Sequence, residues 1–154
     1  MIGLSPRCCV QAIDGTNMII LRKTKPKIEP PFVCYLYCNL DYNDSFPSHN
    51  MWIKDKTGFN HIGNGKVIGE FICDKIYNCD ADSVGLFDRD TKEYLPECNI
   101  SYREVIEQVG TMPPIYGWHI SELTLYEIPK TIKPLPRRWN FASKNKIGDS
   151  EENV

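Results

Sequence analysis

Residues 19–38 read Ile19-Ile20-Leu21-Arg22-Lys23-Thr24-Lys25-Pro26-Lys27-Ile28-Glu29-Pro30-Pro31-Phe32-Val33-Cys34-Tyr35-Leu36-Tyr37-Cys38. An apolar, β-favouring run from Met18 to Leu21 opens into four cationic side chains within six positions, then into a second apolar run. Pro26, Pro30 and Pro31 prevent the first strand from continuing through the middle of a sheet. In Phe32–Cys38, alternation places Cys34, Leu36 and Cys38 on one face and Val33, Tyr35 and Tyr37 on the other. Neither face is polar, so this strand is expected to be central.

Before this stretch, Ser5-Pro6 predicts a short helix, since Ser caps and Pro is tolerated at the first helical position. Cys9, Ala12 and Ile13 give it one apolar face, and Gly15 ends it. After it, residues 39–65 predict a long loop around a short element at Met51–Ile53. Asn64-Gly65 offers a turn into a third strand, Lys66–Ile72, where Gly69 predicts a bulge or a close approach by another segment. Ser101-Tyr102-Arg103-Glu104 is a capping-box pattern, with Tyr102, Val105, Ile106 and Val109 on one helical face and Gly110 closing it. Trp118–Ile128 reads as strand-forming with an irregularity near Ser121, and Trp139–Phe141 as a last short strand. These elements predict one α+β domain over residues 1–142, a small β-barrel or strongly curved sheet with two short flanking helices. Residues 143–154 are expected to form a polar, flexible tail.

Composition narrows the class. With 154 residues, 42% of them hydrophobic and 25% charged, the chain can build one ordinary core. Its formal net charge of −2 argues against overall basicity, so any anion binding must come from clustered charge. No apolar run approaches the roughly 18 residues of a membrane span, and the first residues lack the pattern of a secretory signal. Seven cysteines form no regular framework, which favours a reducing cytoplasm. Cys34 and Cys38 lie about 13 Å apart along a strand, too far to share one metal ion directly. No metal site is therefore expected, and with no phosphate-cradling glycine motif no nucleotide cofactor is expected either.

Three stretches taken together resemble the ASCH family: Ser5-Pro6-Arg7 with its helix ending at Asp14-Gly15, the run Ile19–Lys27 leading into Pro31–Cys38, and Asn64–Phe71. A fourth, Tyr116-Gly117-Trp118-His119-Ile120-Ser121, is similar to a phage and prophage subgroup. The resemblance spans residues 3 to 141 and implies a PUA-like β-barrel with flanking helices. It also implies a cleft for RNA or a modified nucleoside; some relatives are amidohydrolases acting on N4-acetylcytidine, others ribonucleases. The amidohydrolase pattern needs a Lys and a Thr where this chain has Asn17 and Ile20, and only Arg22 of that motif is kept. A cysteine-rich insert of longer relatives is absent between Ile132 and Pro136.

The resulting expectation is a cytoplasmic domain that binds RNA or a modified nucleotide through a basic cleft. Arg22 offers a planar fork for phosphate, and Lys23 and Lys25 mobile charges; with Lys27 they share one side if the run is extended. Tyr116 or Trp118 would stack a base, with His119 at its edge and Arg138 near the same cleft. Ser5 and Thr24 complete the candidate binding set. The opposing readings are lysines guarding a solvated edge strand, Trp118 as a core residue and His119 as a satisfied surface histidine. A small hydrolase on the same fold, or an interaction module using residues 39–65 and the acidic tail, remain the alternatives.

Overall fold

A computed structural model describes residues 1–40 and 50–132. The strand expected at Trp139–Phe141, Arg138 and the tail lie outside them. The elements are β1 (Ile2–Leu4), α1 (Pro6–Ile13), β2 (Ile19–Arg22), β3 (Phe32–Cys38), β4 (Trp52–Lys54), β5 (Asn60–Ile62), β6 (Lys66–Ala81), β7 (Leu86–Asp88), α2 (Tyr102–Val109) and β8 (Ile115–Lys130). The class is α+β. Six strands form a mixed sheet in the order β1-β3-β6-β8-β2, with β7 also paired to β6, and β4-β5 forms a separate hairpin. No closed barrel is found among the described strands.

Contacts gather into two units, each assembled from separated pieces of chain. The first comprises residues 1–10, 33–71 and the described residues from Glu122 onward; the second comprises 11–32 and 72–121. Strands β6 and β8 run through both.

In the first unit β1 pairs parallel with β3, Ile2 opposite Leu36 and Leu4 opposite Cys38. With β6 on its other side, β3 is central as its two apolar faces predict. Cys34, Leu36 and Cys38 are fully buried, as are Val67, Ile68 and Phe71 of β6. Ser5 caps α1, its Oγ accepting from the Cys8 amide at 3.2 Å. Gly69 marks a close approach: a Cβ there would meet the Thr124 carbonyl oxygen at a separation real Cβ atoms do not show, and the Leu125 Cα at 3.2 Å. Gly65, at φ 74°, makes the turn into β6. Within residues 39–65 the single short element expected at Met51–Ile53 is the hairpin β4-β5, with Trp52 opposite Ile62 and Lys54 opposite Asn60.

In the second unit β2 pairs antiparallel with β8, Ile19 opposite His119 and Arg22 opposite Tyr116. Ile19, Leu21, Cys79, Leu86, Cys98, Val105 and Ile115 form its core. Helix α2 supplies Val105 to that core and ends at Gly110, φ 73°. At its start Ser101 Oγ accepts from the Glu104 amide at 3.2 Å, the cap the sequence predicts, and the Ser101 hydroxyl donates to the Glu104 carboxylate at 3.4 Å. The irregularity expected near Ser121 falls on Glu122, whose φ is 49°. All seven cysteines are free thiols, six of them buried.

Candidate functional site

Strand β2 ends at Arg22, and the following lysines belong to an irregular segment rather than to an extended strand. The strand alternation that would align them therefore does not extend through them. The Lys23 ammonium donates to the Met112 carbonyl oxygen. Lys25 turns over the ring of Tyr116, its Nζ 5.5 Å from the centroid, within cation–π range. Lys27 is exposed and lines no part of the cleft described below. The extended run on which a track of three aligned cations depends ends at Arg22, and Pro26 lies inside the lysine stretch.

A cleft of about 410 Å³ lies in the second unit. The segment after β2 supplies Lys25, Pro26, Ile28, Glu29 and Pro30; β6 supplies Asp74, Lys75, Ile76 and Asn78; Asp90 follows β7, and Tyr116 stands on β8. Two ammonium groups thus face three carboxylates, Glu29, Asp74 and Asp90. This cleft is mixed in charge. Lys75 also lies over an aromatic face, its Nζ 4.5 Å from the Tyr77 centroid. Nearby, Arg89 is held bidentately by Asp80 at 3.1 Å through both Nε and Nη2, which raises its pKa and engages its fork.

Of the expected binding residues among those described, only Lys25 and Tyr116 line this cleft. The Arg22 guanidinium donates to its neighbour Leu21 carbonyl at 2.8 Å. Trp118 is 8% exposed, donates from Nε1 to the Thr24 carbonyl at 3.2 Å, and meets Phe32 edge-on at 6.1 Å. It anchors the core and offers no face for a base. Thr24 enters through that carbonyl. Ser5 belongs to the first unit, where it caps α1.

His119 points into a carboxylate pair. Its Nδ1 is 2.6 Å from Asp74 Oδ1 and its Nε2 is 2.6 Å from Glu97 Oε2. Tyr77 packs edge-on against the ring at 6.4 Å, and its hydroxyl pKa is raised, first by burial and then by the charges of Glu97 and Asp74. Asp74 therefore joins the His119 cluster to the cleft wall. Behind the wall, burial pushes the thiols of Cys79 and Cys98 up to about 12.

Sequence reasoning missed Asp74, Lys75, Asn78, Asp90 and Glu29. The first three sit in the polar second half of β6, where Asp74-Lys75 and Asn78 interrupt the apolar run that marks the strand's start. The available signal was Ile76 between Lys75 and Tyr77, with Cys79 beyond them.

These features define an α+β protein built on a mixed sheet, with a charged, aromatic-lined cleft in one of its two units. No protein-family model matches the chain, and no curated protein matches it.

Proposed function

We propose that the chain is a cytoplasmic PUA-like domain that binds RNA or a modified nucleotide, seating one nucleotide in the cleft of the second unit. The observation that carries the reading is the juxtaposition of Lys25 and Tyr116 in one concavity of nucleotide size. An aromatic face stacks a base, and a mobile ammonium beside it meets the phosphate. Asn78 and the carboxylates of Glu29, Asp74 and Asp90 are suited to the amino, imino and hydroxyl donors of base and sugar. Three carboxylates would repel a long phosphate backbone, so the mixed charge favours a single nucleotide, free or at an unpaired position of an RNA, over a phosphate track.

Calorimetric titration with nucleoside 5′-monophosphates and the matching nucleosides tests this. Nucleotides are expected to bind more tightly than nucleosides, and Tyr116→Ala to weaken both by about 5- to 150-fold, the equivalent of 1–3 kcal/mol per stacked base. Tyr116→Phe should restore most of the loss. Equal affinity of Tyr116→Ala and the parent chain, or no binding of either ligand class, refutes the proposal.

One observation supports a hydrolase on the same fold: Asp74 faces the cleft while hydrogen-bonded to His119, an acid–imidazole pair beside a bound ligand. Turnover of acetylated cytidine or labelled RNA that disappears in Asp74→Asn would establish it, and absence of turnover would leave binding alone.

A further inference from the structure

The polar groups of the cleft are not equivalent. Asp74, Ile76 and Asn78 alternate onto one face of β6. Tyr116 joins them from β8, and its neighbour shows why. A Cβ on Gly117 would lie 3.2 Å from Cys79 Sγ and 3.5 Å from the Tyr77 Cβ, so Gly117 packs on the opposite face with Tyr77 and Cys79. Tyr116 therefore turns to the side of Asn78. The Arg89 N–H donates to the Asn78 carbonyl at 2.7 Å, which brings the next residue, Asp90, to the same end of the cleft. Arg89 itself gives Nε and Nη2 to Asp80 at 3.1 Å. Of the three carboxylates, Asp74 already holds His119 Nδ1 at 2.6 Å through Oδ1, and Glu29 belongs to the proline-rich segment that carries Lys25. An amide and a carboxylate, Asn78 and Asp90, thus meet at the end of the cleft where Tyr116 stands.

We infer that the base taken by this cleft is guanine, read along its pairing edge by Asn78 and Asp90. That edge runs acceptor, donor, donor: O6, N1–H and the N2 amino group. The Asn78 amide can donate to O6, and one carboxylate can accept two parallel N–H groups, as it does from the fork of an arginine. The other bases fit the same pair less well. Adenine sets the lone pair of its N1 against the carboxylate, and cytosine sets those of N3 and O2 there. Uracil matches at O4 and N3–H but turns O2 to the carboxylate. An acceptor facing an acceptor-only group loses its water without gaining a bond, which costs more than a bond merely absent. The inference rests on the nucleotide reading given above and adds which base that cleft selects.

The test is calorimetric titration of the full chain with the four nucleoside 5′-monophosphates and with two guanine analogues. Inosine 5′-monophosphate lacks the N2 amino group, and 1-methylguanosine 5′-monophosphate lacks N1–H. GMP is expected to bind about 5- to 150-fold more tightly than AMP, the range of one bidentate base contact. Each analogue should lose a large part of that margin in the unaltered chain, a result independent of how any variant folds. Asp90→Asn should bring the ratio of GMP to AMP affinity toward one, and Asp90→Glu should keep more of it. Equal affinity for all four nucleotides, or preference for another base, overturns guanine selection and leaves the cleft reading standing. A guanine preference that survives Asp90→Asn overturns the assignment to Asp90. Guanine selectivity lost in Asp90→Asn, with affinities that Tyr116→Ala does not move, supports the edge contact and overturns the stacking. No binding of any nucleotide overturns both readings.

Discussion

The ionic-strength dependence of RNA binding separates a mixed cleft from a basic one. Two ammonium groups, Lys25 and Lys75, line the cleft. Each phosphate neutralised on a single strand contributes a slope of about −0.7 in log affinity against log salt, so two give at most about −1.4. The three carboxylates beside them can only reduce that magnitude. Between about 50 and about 200 mM salt the affinity for a short RNA confined to the cleft should fall by about 7-fold, against roughly 10³-fold or more for a protein contacting six to ten phosphates. Lys25→Gln should halve the slope, leaving a loss of about 2.5-fold over the same range. Fluorescence anisotropy with a labelled trinucleotide at several salt concentrations reads both slopes. A slope steeper than about −3 in the parent chain, or one unchanged by Lys25→Gln, would refute the reasoning, since the cleft's two cations could not supply the first nor ignore the second.

Three further outcomes follow from the packing and the titratable groups. Gly69→Ala places a Cβ against the backbone of Thr124 and Leu125, which no side-chain rotation relieves; overpacking at the upper end of its usual range of about 1–3 kcal/mol should outweigh the gain from replacing a strand glycine and lower the melting temperature by at least about 2–4 °C in calorimetry, and an unchanged value would contradict the close approach. The Asp55 carboxyl is held below its ordinary 3.8, first by the Thr57 hydroxyl and then by His61; its bonds persist above that value and are lost as pH falls toward the lower folded one, so Asp55→Asn should speed exchange of the Phe59 amide at neutral pH, and protection equal to the parent's would count against it. Burial raises the Cys79 and Cys98 thiols to about 12 from 9.0, so the stabilisation is present below 9.0 and fades as pH rises toward 12; urea midpoints should drop between about pH 8 and about pH 11, less steeply in Cys79→Ala, and equal slopes in the two proteins would reject this account.

Much of the fold was legible where local signals and burial agree. The apolar Phe32–Cys38 run forms β3 with those bounds, and Ser101 and Gly110 bracket α2 because cap chemistry is local. Gly69 announced the approach of β8, since only a missing Cβ fits against the Thr124 carbonyl. What escaped was settled by partners distant in sequence. Strand β1 is three residues long, held by parallel pairing to β3, and β7 is equally short and held by β6. The cleft was the least legible part. Tyr116 and Lys25 were singled out, but their carboxylate neighbours come from three separate pieces of chain: Glu29 after β2, Asp74 in the polar half of β6 and Asp90 after β7. Trp118 was weighed both as a base-stacking residue and as a core anchor for its large apolar area, and its burial and the indole N–H on the Thr24 carbonyl favour the anchor.

The strand that spans both units also sets an order of events during synthesis. Residues of β8 up to Ser121 belong to the second unit and those from Glu122 to the first. A ribosome therefore releases β1, β3, both helices and all of β6 before either unit can acquire its share of β8. Until then β2 and one edge of β6 lack their ladder partner, and Gly69 has nothing against it. Chains that emerge N-terminus first usually finish one domain before starting the next. Here the two units must wait for the same late segment, and a nascent chain stalled before Ile115 would expose unfinished sheet edges to chaperones.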